Sequence, residues 1–139
     1  MMKKILLKDL AFARSGDKGD VSNIGVMAKS KNIYDFLAKT ITPEKVKSHF
    51  RGMVKGNVEI YPVPKIDSLE VVLRRALGGG ATCTLRFDQT GKSMCCALLR
   101  MEVEVEDSLL EEAKAVDASI LRRYGEGKEM AYEVQYDSL

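Results

Sequence analysis

The chain opens with a nearly continuous apolar run, Ile5 to Ala13, relieved only by Lys8-Asp9. Such a run reads as a largely buried strand, here one that delivers Arg14 to a turn. Ile24, Val26 and Ala28 alternate with smaller or polar positions and predict a second strand leaving that turn. The period then changes. Ile33, Phe36, Leu37 and Ile41 fall on one helical face, and Thr42-Pro43-Glu44 restarts a helix with a cap, a first-position proline and an acid at the positive end of the dipole. Val46, His49, Phe50 and Met53 form its apolar stripe. Beyond the Gly56-Asn57 turn, Val58 to Tyr61 makes a short strand that Pro62 and Pro64 end or confine to an edge.

The next segment carries the best-marked helix signals in the chain. Asp67 stands as a cap, Glu70 completes a capping box, Ile66 staples to Val71, and Leu69, Val72, Leu73, Ala76 and Leu77 give one broad apolar face before Gly78. Thr82 to Asp88 alternates as a strand, with Cys83, Leu85 and Phe87 on the apolar side and Thr84 and Arg86 on the polar side, and Asp88-Gln89-Thr90-Gly91 turns the chain. Residues 92–100 fit helix and strand equally well. Met101 to Glu106 predicts a strand with an acidic outer face. Asp107 to Tyr124 predicts a helix closed by Gly125, with Leu110, Ala113, Val116 and Ile120 buried on the sheet or on another subunit. Met130, Tyr132, Val134 and Tyr136 suggest a last strand. Mixed strands and helices without a repeat or sustained β-α-β alternation point to an α+β two-layer sandwich, mainly antiparallel, with helices on one face.

Composition narrows the function classes. A chain of 139 residues, 45% hydrophobic, makes one domain with a core of its own. A net charge of +2 and the lack of tryptophan give no reason to expect nucleic acid. The charge is uneven, with a basic body over residues 1–105 and an acidic segment over 106–139. Cys83, Cys95, Cys96 and the single His49 make neither a zinc pattern nor a disulfide framework, which fits a reducing cytoplasm. No signal peptide or membrane span is evident, and no cofactor is called for.

Candidate chemistry concentrates in Arg14-Ser15-Gly16-Asp17-Lys18-Gly19-Asp20, with Asn23 three residues on. Gly16 and Gly19 permit positive φ and close backbone approach, so N–H groups can converge on an anion while Arg14 and Lys18 supply countercharge. Asp17 and Asp20 can orient those cations, and with Asn23 they could present oxygens to Mg²⁺. The plain alternative is a structural turn. Gly19 is followed by Asp20, so this is no Walker A loop, and the acidic spacing is not that of an EF-hand. Gly78-Gly79-Gly80 needs one glycine to stop a helix and leaves two for packing or ligand approach. Arg86 offers a bidentate donor. His49 lies on an apolar face and reads as a packed histidine, and no nucleophile with an adjacent base can be assembled.

Ala13 to Asp20, then Asn23-Ile24-Gly25-Val26, Ala76-Leu77-Gly78-Gly79-Gly80, Leu85-Arg86, Asp88-x-x-Gly91-Lys92 and Ala97-Leu98-Leu99 together give the chain a recognisable likeness. Over roughly Leu10 to Val105 it resembles the AtuA-like ferredoxin-fold domain of the acyclic terpene utilisation family, usually the C-terminal part of a much larger protein. The resemblance implies a ferredoxin-like fold over residues 1–105, with 106–139 as a helix-strand extension packed on the same domain or on another subunit. It also implies a link to catabolism of acyclic or branched carbon skeletons as acyl-CoA derivatives, and a separately encoded larger partner.

The leading expectation is a small accessory or ligand-binding subunit. Its Arg14–Asn23 loop, with Gly78 to Gly80 and Arg86, would recognise an anion such as a carboxylate or acyl-CoA, in a chain expected to homo-oligomerise. One rival is a self-contained lyase or hydratase acting on an acyl thioester, with Asp17 or Asp20 as base and Lys18 as electrophile or proton donor; another is a purely structural homo-oligomer. Acids among cations are poorly placed to act as bases, which weighs against the enzyme.

Overall fold

A computed structural model describes residues 1–124. The strand expected around Met130 to Tyr136 and the stop at Gly125 lie outside the described residues. The elements run β1 (Met2–Leu6), β2 (Ala11–Lys18), β3 (Val21–Ala28), α1 (Lys31–Thr40), α2 (Pro43–Phe50), β4 (Val58–Val63), β5 (Ser68–Leu73), α3 (Met94–Leu98), β6 (Glu102–Glu106) and α4 (Asp107–Tyr124). Four strands form an antiparallel sheet in the order β2-β3-β5-β4, and β1 pairs with β6 in a separate antiparallel ribbon. The architecture is α+β.

Alternation divides the four-stranded sheet into two unlike faces. Ile24 and Val26 of β3 and Leu69, Val71 and Leu73 of β5 are buried, against Ile33 and Leu37 of α1, Val46 and Phe50 of α2 and Leu98 of α3. The opposite face stays open. Thr42 caps α2 as its sequence announces, accepting from the Lys45 N–H at 3.2 Å ahead of Pro43, and α1 has a cap not among those expected from sequence, Ser30, which accepts from the Ile33 N–H at 3.2 Å. Pro62 and Pro64 sit in and just after β4, the sheet edge, where a missing N–H costs no ladder bond.

Several expectations are corrected. The run from Ile5 to Ala13 is two strands, broken by a 3₁₀ turn at Leu7–Asp9. Residues 68–73, marked as helix, form β5. Asp67 has a left-handed φ of +50°, so it closes the β4–β5 hairpin instead of capping a helix. Strands β3 and β4 then hydrogen-bond β5 on both sides, and Leu69, Val71 and Leu73 satisfy alternation as well as they satisfy a helical stripe. Thr82 to Asp88 is not a strand but a series of turns with the sense inverted: Thr84 is buried while Leu85, Phe87 and Cys83 are exposed. The ambiguous stretch resolves as the short helix α3.

Helix α4 packs against α1 and the Leu7–Asp9 turn. Lys29, whose side chain is 5% exposed, pairs with Asp117 at 2.8 Å, and Asn32 donates to Glu112 at 3.2 Å. Of the four residues expected to be covered, Ala113 is buried and Leu110 and Val116 are partly so, whereas Ile120 is 41% exposed. The helix outruns the surface beneath it.

Candidate functional site

The Arg14–Asp20 run is not one turn. β2 continues through Lys18, and only Gly19-Asp20 connect it to β3, with Lys18 opposite Val21. Gly19 takes φ +64°, as a tight hairpin requires, but Gly16 lies in extended strand and needs no positive φ. Strand alternation then sorts the side chains. Phe12, Arg14, Gly16 and Lys18 face the open side; Ser15 turns inward, donating to the Gly91 carbonyl at 2.6 Å and accepting from the Cys95 N–H at 3.0 Å.

Those two bonds fasten the 88–95 loop to β2. Asp88 completes the fastening by accepting from the Ser93 hydroxyl at 2.7 Å and its N–H at 3.2 Å. Lys92, held between these anchors, reaches over Gly16, and a Cβ added there would lie 3.3 Å from its Nζ and 3.7 Å from Asn23 Oδ1. A cavity of about 350 Å³ results, walled by Arg14, Asp17, Lys18, Asn23, Glu70 and Lys92. Arg14 and Lys92 make no ion pair or side-chain hydrogen bond among the described residues, and Lys18 reaches only the Asp17 carbonyl at 3.0 Å. Asn23 Oδ1 is buried without a partner. Turned over, the same amide would present its NH₂ donors to the cavity.

Asp20 goes elsewhere. Its Oδ1 accepts from the Leu77 N–H at 3.0 Å and the Gly79 N–H at 2.8 Å, and its carbonyl accepts from the Ala76 N–H at 3.0 Å. Gly78, Gly79 and Gly80 all take positive φ, and a Cβ on Gly80 would lie 2.9 Å from the Gly19 carbonyl oxygen. The triple-glycine loop is thus an anion-binding concavity that holds the chain's own carboxylate. Arg86 folds back as well, donating through Nη1 to the Ala76 carbonyl at 2.6 Å. Of the residues expected to converge, Arg14, Ser15, Gly16, Asp17, Lys18 and Asn23 share one cavity. Gly19, Asp20, Gly78, Gly79, Gly80 and Arg86 form a neighbouring joint.

Sequence reasoning missed Lys92, Glu70 and Gly25. Nothing local marks them, since they reach the cavity through strand register and through a loop tied down by a distant serine. A larger hollow of about 840 Å³ lies between the β1–β6 ribbon and helices α1 and α2. His49 borders it with Nε2 on the Ala97 carbonyl at 2.7 Å, so that nitrogen carries the proton. The charges around this hollow are balanced: Lys4, Lys45 and Arg51 against Glu44, Glu102 and Glu104, with Lys4 already paired to Glu102 at 3.5 Å. No His, Cys, Asp and Glu cluster fit for a metal occurs among the described residues. Cys95 lies 4.0 Å from Cys96 and pushes its thiol pKa up, the reverse of what an activated nucleophile needs.

Fold and cavity together define a small α+β domain with helices on one sheet face and a cation-lined hollow at the edge of the other. The chain belongs to the AtuA ferredoxin-like domain family, whose sequence model matches residues 5–104. No curated protein and no solved structure matches it. No helix among the described residues is long and apolar enough to cross a membrane.

Proposed function

We propose that the chain is an accessory, ligand-binding subunit that recognises an anion through Arg14, Lys18 and Lys92. One observation carries this reading: three cations that pair with no carboxylate among the described residues line a hollow around a strand glycine, beside an orphaned amide oxygen. Unpaired charge in a fixed hollow is available to a ligand, whereas charge that is already paired is not. Asp17 borders the same hollow, but its carboxylate pairs with none of these cations; only its backbone carbonyl meets Lys18. In keeping with its family, the chain would serve a larger AtuA-type protein in catabolism of acyclic terpene or branched acyl-CoA compounds, in the cytoplasm. Leu85 and Phe87 support a partner. They are 101% and 109% exposed, on a loop that Thr84 and Arg86 pin from beneath.

The lyase or hydratase reading has less support, because Asp20 is engaged through Oδ1 by two backbone N–H groups in the neighbouring joint and does not line the hollow. Titrating the chain calorimetrically with acetate, sulfate, acetyl-CoA and Mg²⁺ tests the proposal. Anions should bind, and Arg14→Ala and Lys92→Ala should each weaken binding while the circular dichroism spectrum stays unchanged. A Mg²⁺ response lost in Asp17→Asn and kept in Arg14→Ala would replace the anion site with a metal site. Co-purification from the source cell tests the partner, and size-exclusion chromatography tests the homo-oligomer.

A further inference from the structure

The anion hollow is not alone on the open face. Cross-strand register sets Phe12 opposite Met27, Met27 opposite Ser68 and Ser68 opposite Val63, one row running across all four strands. Phe12 is 46% exposed, Met27 50%, Val63 38%, and Ile66 in the β4–β5 connection 59%. These side chains wall an apolar groove of about 340 Å³. Groove and hollow share Arg14, Gly25 and Glu70, which form the adjacent row. Gly25 places no side chain at their junction, where an added Cβ would sit in ordinary contact with the Glu70 carboxylate at 3.5 Å. Glycine weakens a central strand, and close approach by a ligand or another stretch of backbone is one of the reasons it occurs in one.

We infer that the site takes one amphipathic anion, its charged head held by Arg14 and Lys92 and its hydrocarbon arm crossing Gly25 into the groove over Met27. The inference rests on the anion reading above and adds the second half of the ligand. Charge fixes the direction. The hollow sets Arg14, Lys18 and Lys92 against Asp17 and Glu70, whereas the groove has only Arg14 against Glu70, so the excess of positive charge lies in the hollow and draws an anionic head there. Concavity fixes the kind of occupant, because a groove of this size that continues into a cation hollow suits a small molecule with an arm of several carbons. Met27, unbranched and polarisable, adapts to arms of differing shape.

A homologous series tests this on the full chain. Acetate, butanoate, hexanoate and octanoate, each below its micelle concentration, are titrated calorimetrically, with the matching alkyl phosphates in parallel to distinguish a carboxylate head from a phosphate head. Affinity should rise roughly three- to fourfold per methylene until the groove is filled and then level off. Met27→Ser and Ile66→Ser should flatten that rise, costing octanoate at least about tenfold and acetate little. Arg14→Ala should weaken every member of the series. Affinity independent of chain length in the wild type would overturn the groove while leaving the anion site standing. No anion bound at all would overturn both. A dimer seen by light scattering that Ile66→Ser dissociates, without any chain-length effect, would give the groove to a second copy instead.

Discussion

Two glycine-bearing, charge-bearing segments lie side by side and have opposite characters. At the triple-glycine loop every feature of an anion site is present, with positive φ, converging N–H groups and a carboxylate between them, but the carboxylate is the chain's own Asp20. At Gly16 the backbone is ordinary strand, and the surrounding cations have no such partner. The first is a structural joint between a hairpin tip and a loop. The second is a vacancy in the chain's own pairing. A motif rich in glycine and charge signals function only where its hydrogen-bonding capacity is left unspent.

The sharpest way to break this comparison is Gly80→Ala. A Cβ would meet the Gly19 carbonyl at 2.9 Å on a backbone at φ +98°, so urea unfolding should show a loss of about 2–3 kcal/mol. Asp20→Ala should follow at about 1–3 kcal/mol, because it strands the N–H of buried Leu77 and removes the tie to Gly79. If either variant unfolds like wild type, the joint is not structural. Gly16→Ala has no φ strain; its Cβ meets the movable end of Lys92 at 3.3 Å and Asn23 Oδ1 at an ordinary 3.7 Å. Its stability should change by less than about 0.5 kcal/mol while anion affinity falls, and a large destabilisation would make both glycines alike.

The smallest effect is expected at the far edge of the open face. There Arg74 and the Tyr61 hydroxyl both donate to Glu59 and hold its carboxyl below the usual range. A lowered folded-state pKa stabilises above the ordinary carboxylate range and stops doing so as pH falls through it. The difference in Tm between wild type and Glu59→Gln, slight because the pair is exposed, should therefore shrink from about pH 6 to about pH 3. A difference that grows on acidification would reverse the assigned sign.

Local signals served wherever the local context was sufficient. Thr42-Pro43-Glu44 caps α2 as its residues announce, and the alternation of residues 101–106 gives β6. The same logic failed at Asp67 and Glu70, where a capping-box spacing coincides with a hairpin closed by the Pro64–Ile66 turn. Leu85 and Phe87 misled in another way. Their alternation is real, but Arg86 found a buried carbonyl and Thr84 a tight seat beside Gly78, so the polar side went in. Arg14, Lys18 and Asn23 were legible as candidate residues because they cluster in sequence; Lys92 and Glu70 reach the same cavity from a loop and another strand.

The sequence by itself determined the α+β class, the caps of α2, the edge position of the prolines and the charged segment around Gly16, because each follows from forces acting within a few residues. Tertiary structure decided that residues 68–73 are a strand, since ladder bonds to β3 and β4 outweigh a capping preference worth about 1 kcal/mol. It also decided which charges stay free. Asp20 meets its N–H partners only when residues 76–80 fold back onto the hairpin tip, and Lys92 meets Gly16 only through the Ser15 anchor. Pairing across such separations depends on where the backbone brings two groups together, which no local pattern records.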